Sequence, residues 1–79
     1  MQSRLTGSEI SQLRMLAYSR TPMWGGVYES GNYDDEIRRW LALGLISEVQ
    51  KPYVLGRKEY QGGFVITPEG RAALAKEGK

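Results

Sequence analysis

The sequence predicts a small α+β domain, and three observations predict it. An apolar helical face opens behind a capping pattern at Thr6 to Glu9. A second helical face stops at Gly44, after which apolar residues recur at strand spacing rather than helical spacing. A short apolar run at Phe64-Val65-Ile66 is followed at once by Thr67-Pro68, a pair that restarts a helix. The expected order is helix, irregular segment or short strand, helix, two-stranded hairpin and short helix.

The first helix is expected from about Gly7 to Ser19. The Thr6 hydroxyl can accept from the Glu9 amide while the Glu9 side chain reaches back, and Leu5 and Ile10 stand where a hydrophobic staple would close the entry. Ile10, Leu13, Leu16 and Ala17 share one face. The Thr21-Pro22 pair ends the helix, because a residue before proline avoids the α region. This helix reads as scaffold.

Residues Pro22 to Asn32 are punctuated by Gly25-Gly26 and Gly31, with Trp24 just before the pair and Tyr28 after it. A short strand at Gly26 to Glu29 is expected. The two aromatic rings either plug the core or form a platform for a partner.

The second clear helix is expected over Tyr33 to Leu43. Asn32 is read as its N-cap, and Asp34, Asp35 and Glu36 fill the first turn, where carboxylates suit the helix dipole. Tyr33, Ile37, Trp40 and Leu41 share a face. Gly44 is placed to end the helix in the left-handed conformation, with Leu45 folding back on Trp40.

Beyond Gly44, Leu45 to Lys51 reads as a strand stopped by Pro52, with Tyr53 to Leu55 extending it past a kink. Gly56-Arg57-Lys58 reads as a turn and Gly62-Gly63 as a flexible point. Phe64 to Ile66 forms the second strand, with Phe64 and Ile66 on one face. The last helix starts at Thr67-Pro68 and continues through Ala72, Ala73 and Leu74, and Glu77-Gly78-Lys79 is expected to fray.

Length and composition limit the functional classes. The chain has 79 residues, which predicts one domain over 1–79 with no linker or internal repeat. An apolar fraction of 41% and a charged fraction of 25% are ordinary for a globular chain. There is no cysteine and no histidine, which removes thiolate chemistry, cysteine–zinc sites and the commonest general base. The expectation is a binding protein, not an enzyme, with no catalytic residues, no cofactor and no metal. Asp34, Asp35 and Glu36 do not alter this, since adjacent carboxylates on a helix point in different directions. Gly25-Gly26 lacks the following Lys-Ser/Thr of a phosphate loop. No apolar run approaches the ~20 residues that span a bilayer, and no signal-type segment opens the chain. A cytoplasmic location without a membrane partner is therefore expected.

The phrases Leu41-Ala42-Leu43-Gly44-Leu45-Ile46 and Phe64-Val65-Ile66-Thr67-Pro68-Glu69-Gly70-Arg71-Ala72-Ala73-Leu74 resemble a winged-helix domain. MarR-like and PadR-like regulators carry this pattern: a helix closing in Leu-x-x-Gly-Leu-Ile, a basic hairpin, then Leu/Ile-Thr-x-x-Gly-x-x-x-Leu opening the next helix. The resemblance covers roughly residues 33 to 75. It implies three helices before the wing, yet the first two clear helices leave too short a segment for an ordinary third. Either a degenerate helix lies within Pro22 to Asn32, or a strand has replaced it.

The resemblance implies DNA as the partner, in a transcription-regulator setting. Lys51, Arg57 and Lys58 on the hairpin would grip phosphate, and Arg38 and Arg39 would approach the groove. Charge placement complicates this. Net charge is only +2. The helix presents Asp34, Asp35 and Glu36 at its N-terminal end, and Asp34 and Asp35 stand four residues before Arg38 and Arg39. The alternative is a protein-interaction module with no DNA binding, in which Trp24, Tyr28, Asp35 and Leu43 form the contact surface. A lone winged helix reads a short site weakly, so a homodimer would suit the DNA reading. Tyr53 and Tyr60 either stack on a partner or pair across the hairpin.

Overall fold

A computed structural model describes residues 5–77. Its elements run α1 (Gly7–Tyr18), α2 (Gly25–Ser30), α3 (Asp35–Ala42), β1 (Ile46–Val49), β2 (Tyr53–Leu55), β3 (Lys58–Tyr60), β4 (Gly63–Ile66) and α4 (Pro68–Glu77). The α+β expectation holds.

Local chemistry sets α1. The Glu9 amide donates to the Thr6 hydroxyl at 3.1 Å, and the Thr6 amide donates to Glu9 Oε1 at 2.9 Å. Leu13 and Leu16 face the core, joined by Leu5 and Ile10 from the helix entry. Glu77 does not fray: it lies within α4, and its carboxylate accepts from the Leu5 amide at 2.8 Å, which ties α4 to the entry of α1. Gly78 and Lys79 lie outside the described residues.

Of the two alternatives for Pro22 to Asn32, the short helix is the one that forms: α2 has six residues, and the strand at Gly26 to Glu29 does not occur. An isolated antiparallel bridge does occur three residues before Gly26, where Met23 and Phe64 exchange backbone hydrogen bonds of 3.0 and 2.9 Å. Trp24 then turns the chain with φ 59°, a conformation uncommon outside glycine. Its ring is held against Trp40 (5.8 Å between centroids) and Phe64 (6.3 Å). Gly25 follows because a Cβ there would stand 2.6 Å from the Tyr60 ring and 2.7 Å from the Tyr53 hydroxyl.

Helix α3 begins later than its sequence periodicity suggests. Its N-cap is Asp34, not Asn32: the Asp34 carboxylate accepts from the Ile37 amide at 2.8 Å. Tyr33 therefore stands outside the helix, edge-on to Phe64 at 5.3 Å, with its hydroxyl donating to Glu48. A charged acceptor three residues before Ile37 satisfies the third amide of the helix better than Asn32 could from further away. The C-terminus is as expected. Gly44 has φ 75°, its amide donates to Leu41 at 3.1 Å, and Leu45 donates to Trp40 at 2.9 Å, which is a Schellman end.

The hairpin contains two antiparallel pairs in series instead of one. Strands β1 and β4 pair from Ile46↔Ile66 to Val49↔Gly63, and β2 and β3 pair from Tyr53↔Tyr60 to Leu55↔Lys58. Expected strand Leu45 to Lys51 is thus shortened to β1, and β2 is a separate strand beyond Pro52. Lys58 lies in β3, not in the turn. Gly63 is a buried residue of β4, not a flexible point. Trp40 and Phe64 are fully buried at the centre of the core. Thr67 links the halves: its Oγ1 accepts from the Gly70 amide at 3.0 Å and donates to the Gly44 carbonyl, so the end of α3 meets the start of α4.

Candidate functional site

The outer hairpin is held to the domain by its tyrosines. Tyr53 and Tyr60 are cross-strand neighbours, stacked at 5.3 Å with planes 25° apart. Tyr53 is buried, so its ring is a hairpin support, not a platform for a partner. Its hydroxyl lacks a well-formed hydrogen bond among the described residues. Burial pushes its pKa above the usual tyrosine value, and the nearby Gly25 backbone partly opposes this. Glu29 of α2 adds a second tie, accepting from the Gln61 amide at 2.8 Å.

These supports present Arg57 and Lys58 at the far end. Both are exposed, Arg57 in the turn and Lys58 at the start of β3, with its ammonium 5.1 Å from the centre of the Tyr60 ring. The β2 residues Val54 and Leu55 are exposed beside them, at 62% and 58%. Lys51 is also exposed but belongs elsewhere. It lies before β2 and lines a cleft with Arg20 and Arg71. The three hairpin cations named by sequence therefore divide into a tip pair and a residue at the base.

On α3, Arg38 is exposed and Arg39 is not equivalent to it. Arg39 is ion-paired with Glu9 of α1, whose side chain is only 4% exposed. Glu9 also accepts from the Trp40 indole at 3.1 Å. Asp34 is engaged in capping, whereas Asp35 and Glu36 are exposed in the first turn. The face of α3 is thus mixed in sign. Leu43 is exposed at its end. Trp24 and Tyr28 are half-buried, with the Tyr28 ring edge-on to Phe64 at 6.1 Å, so both rings serve the core.

Two features were not legible in sequence. Glu9 was recognisable only as half of a capping box, although a carboxylate has a second oxygen to give. The cleft at the end of α1 gathers Arg20 and Arg71 from distant positions, and neither carries a local signal. Among the described residues, no group of three acidic, histidine or cysteine residues could hold a metal ion, and no helix is long and apolar enough to cross a membrane. Comparison with family models, curated proteins and solved structures found no match.

Proposed function

We propose that this domain is a winged-helix DNA-binding module of the transcription-regulator type. The observation that carries the reading is the order of elements before the hairpin. The resemblance in sequence requires three helices before the wing, and α1, α2 and α3 supply them, with α2 occupying the segment that looked too short. In this reading Arg57 and Lys58 at the wing tip contact phosphate, and Arg38 reaches toward the groove from the exposed side of α3. Lys51 and Arg39 contribute less, since one sits at the base of the hairpin and the other is already paired. A homodimer would extend an otherwise short contact.

Titration of the protein into fluorescent mixed-sequence duplex DNA at about 50 and 200 mM salt tests this reading. Micromolar binding that collapses at the higher salt is expected. Replacing Arg57 and Lys58 with alanine should weaken it and reduce the salt slope by roughly two, one per lost phosphate contact. Absence of binding at low salt rejects the DNA reading, and unchanged affinity in the double variant rejects the wing contact.

A second reading is favoured by the exposure of Val54 and Leu55 on the outer hairpin and of Leu43 on α3. Exposed apolar side chains, together with the exposed carboxylate of Asp35 at the start of α3, suit a protein partner better than phosphate. In that reading the domain is an interaction module on the same scaffold and does not bind DNA. Trp24 and Tyr28 would then support the surface from beneath rather than form it.

A further inference from the structure

The cleft between the end of α1 and the β1–β4 sheet has a volume of about 320 Å³, at the small end of the range for organic ligands. Its polar lining is Ser19, Arg20, Thr21, Lys51 and Arg71. Its apolar lining is Leu16, Pro22, Val49, Val65 and Ile66. Three cations and no carboxylate line it. In a chain whose net charge is only +2, that is a concentrated positive site.

The cations are placed by ordered backbone. Ser19 Oγ donates to the Thr21 carbonyl at 2.6 Å and accepts from the Thr21 amide at 3.3 Å, clasping the turn that carries Arg20. That turn is fixed on one side by the Ser19 amide on Leu16 and on the other by the Met23–Phe64 bridge. Arg71 donates through Nη2 to the Ala17 carbonyl at 3.3 Å, which leaves most of its five donors for another acceptor. Arg20 and Lys51 have no carboxylate partner among the described residues.

We propose that this cleft binds a phosphate monoester with a small apolar body. Two guanidinium groups and an ammonium suit the double charge and the several acceptor oxygens of a phosphate monoester. The apolar walls suit the organic part, which inorganic phosphate lacks. The site does not rest on the DNA reading: Arg20 and Arg71 belong to neither the wing tip nor α3, and only Lys51, at the base of the hairpin, is shared between the two.

The test uses the full chain and phenyl phosphate as probe, followed through backbone amide NMR shifts. Saturable shifts at Ser19 to Thr21, Lys51 and Arg71 are expected, with a Kd in the range of about 1 mM or tighter. Inorganic phosphate should bind more weakly, and benzyl alcohol should leave these amides unmoved. Arg20→Ala and Lys51→Ala should each weaken phenyl phosphate binding by about tenfold, as loss of a charge-assisted contact implies. Unchanged shifts elsewhere and an unchanged Tm would show that both variants are folded. The proposal is overturned by absence of saturable shifts at about 10 mM, by equal response to benzyl alcohol, or by insensitivity to both substitutions. Shifts at these amides caused by duplex DNA but not by phenyl phosphate would also overturn it, and would make the cleft part of a DNA contact.

Discussion

Glu9 of α1 and Arg39 of α3 form an ion pair that locks the two helices together, with the carboxylate almost wholly buried and the guanidinium about one-third exposed. The same carboxylate accepts from the Thr6 amide and the Trp40 indole. One side chain therefore helps to cap α1, fixes α3 and satisfies the indole of Trp40, a fully buried ring of the core. Glu9→Ala should cost about 2–4 kcal/mol, since it strands the buried Trp40 indole donor, removes the partner of Arg39 and takes away half of the capping box. Glu9→Gln should cost less, because the amide oxygen can retain some of these bonds. Urea denaturation checks both. A loss below about 1 kcal/mol for Glu9→Ala would mean that water replaces the carboxylate without difficulty.

The same pair separates two adjacent arginines. If α3 approaches DNA, Arg38→Ala should weaken binding several-fold more than Arg39→Ala, measured under low salt where phosphate and groove contacts are strongest. Arg39→Ala should instead show itself in stability. The reverse ranking would mean that Arg39 leaves Glu9 on binding.

Gly70 and Gly44 should respond differently to alanine. Helix propensity alone favours Gly70→Ala by about 1 kcal/mol. However, a Cβ at Gly70 would overlap the Leu45 carbonyl and lie 2.6 Å from Ile66 Cγ1. Overpacking should therefore reverse the sign, with a net loss of about 1–3 kcal/mol. Gly44→Ala meets no neighbour and carries only the strain of φ 75°, about 1 kcal/mol. Thermal or chemical unfolding that shows Gly70→Ala stabilising would contradict this packing.

Tyr33 gives a pH signature. Its pKa is raised to about 12, first by its hydrogen bond to Glu48, then by burial and the Glu48 charge. The folded state thus keeps a proton that the unfolded state releases near the ordinary value of 10.0. The stabilisation is complete below about pH 10 and falls as pH rises from about 10 to 12. Tyr33→Phe should flatten part of that fall, and Tyr53, shifted in the same direction, should account for another part. Stability measured across this interval, identical in Tyr33→Phe and the parent, would remove the Glu48 contact from the account.

Tyr53→Phe tests the buried hydroxyl. Because that group lacks a well-formed hydrogen bond, deleting it should leave stability unchanged or raise it by up to about 1 kcal/mol. A loss of similar size would show that the Gly25 amide is a full partner.

What the sequence determined by itself is the punctuation of the helices. Thr6 with Glu9, Gly44 with Leu45, and Thr67 with Pro68 act over a few residues, so their spacing alone carries the information. Asp34 was misread because Asn32, Asp34 and Asp35 all suit the start of a helix, and the choice depends on which acceptor reaches the Ile37 amide. Tertiary structure decided everything that joins distant positions. Gly26 to Glu29 looked like a strand, but Trp24 packs on Trp40 and Phe64 and turns the next residues into α2. Met23 pairs with Phe64, Glu9 with Arg39, and Arg20 meets Lys51 and Arg71 in one cleft. The candidate site divides along the same line: the exposed wing-tip pair Arg57 and Lys58 was legible, whereas the neutralisation of Arg39 and the basic cleft were not. Capping is governed by hydrogen bonds within a turn, whereas pairing and charge clustering depend on the path of the whole chain.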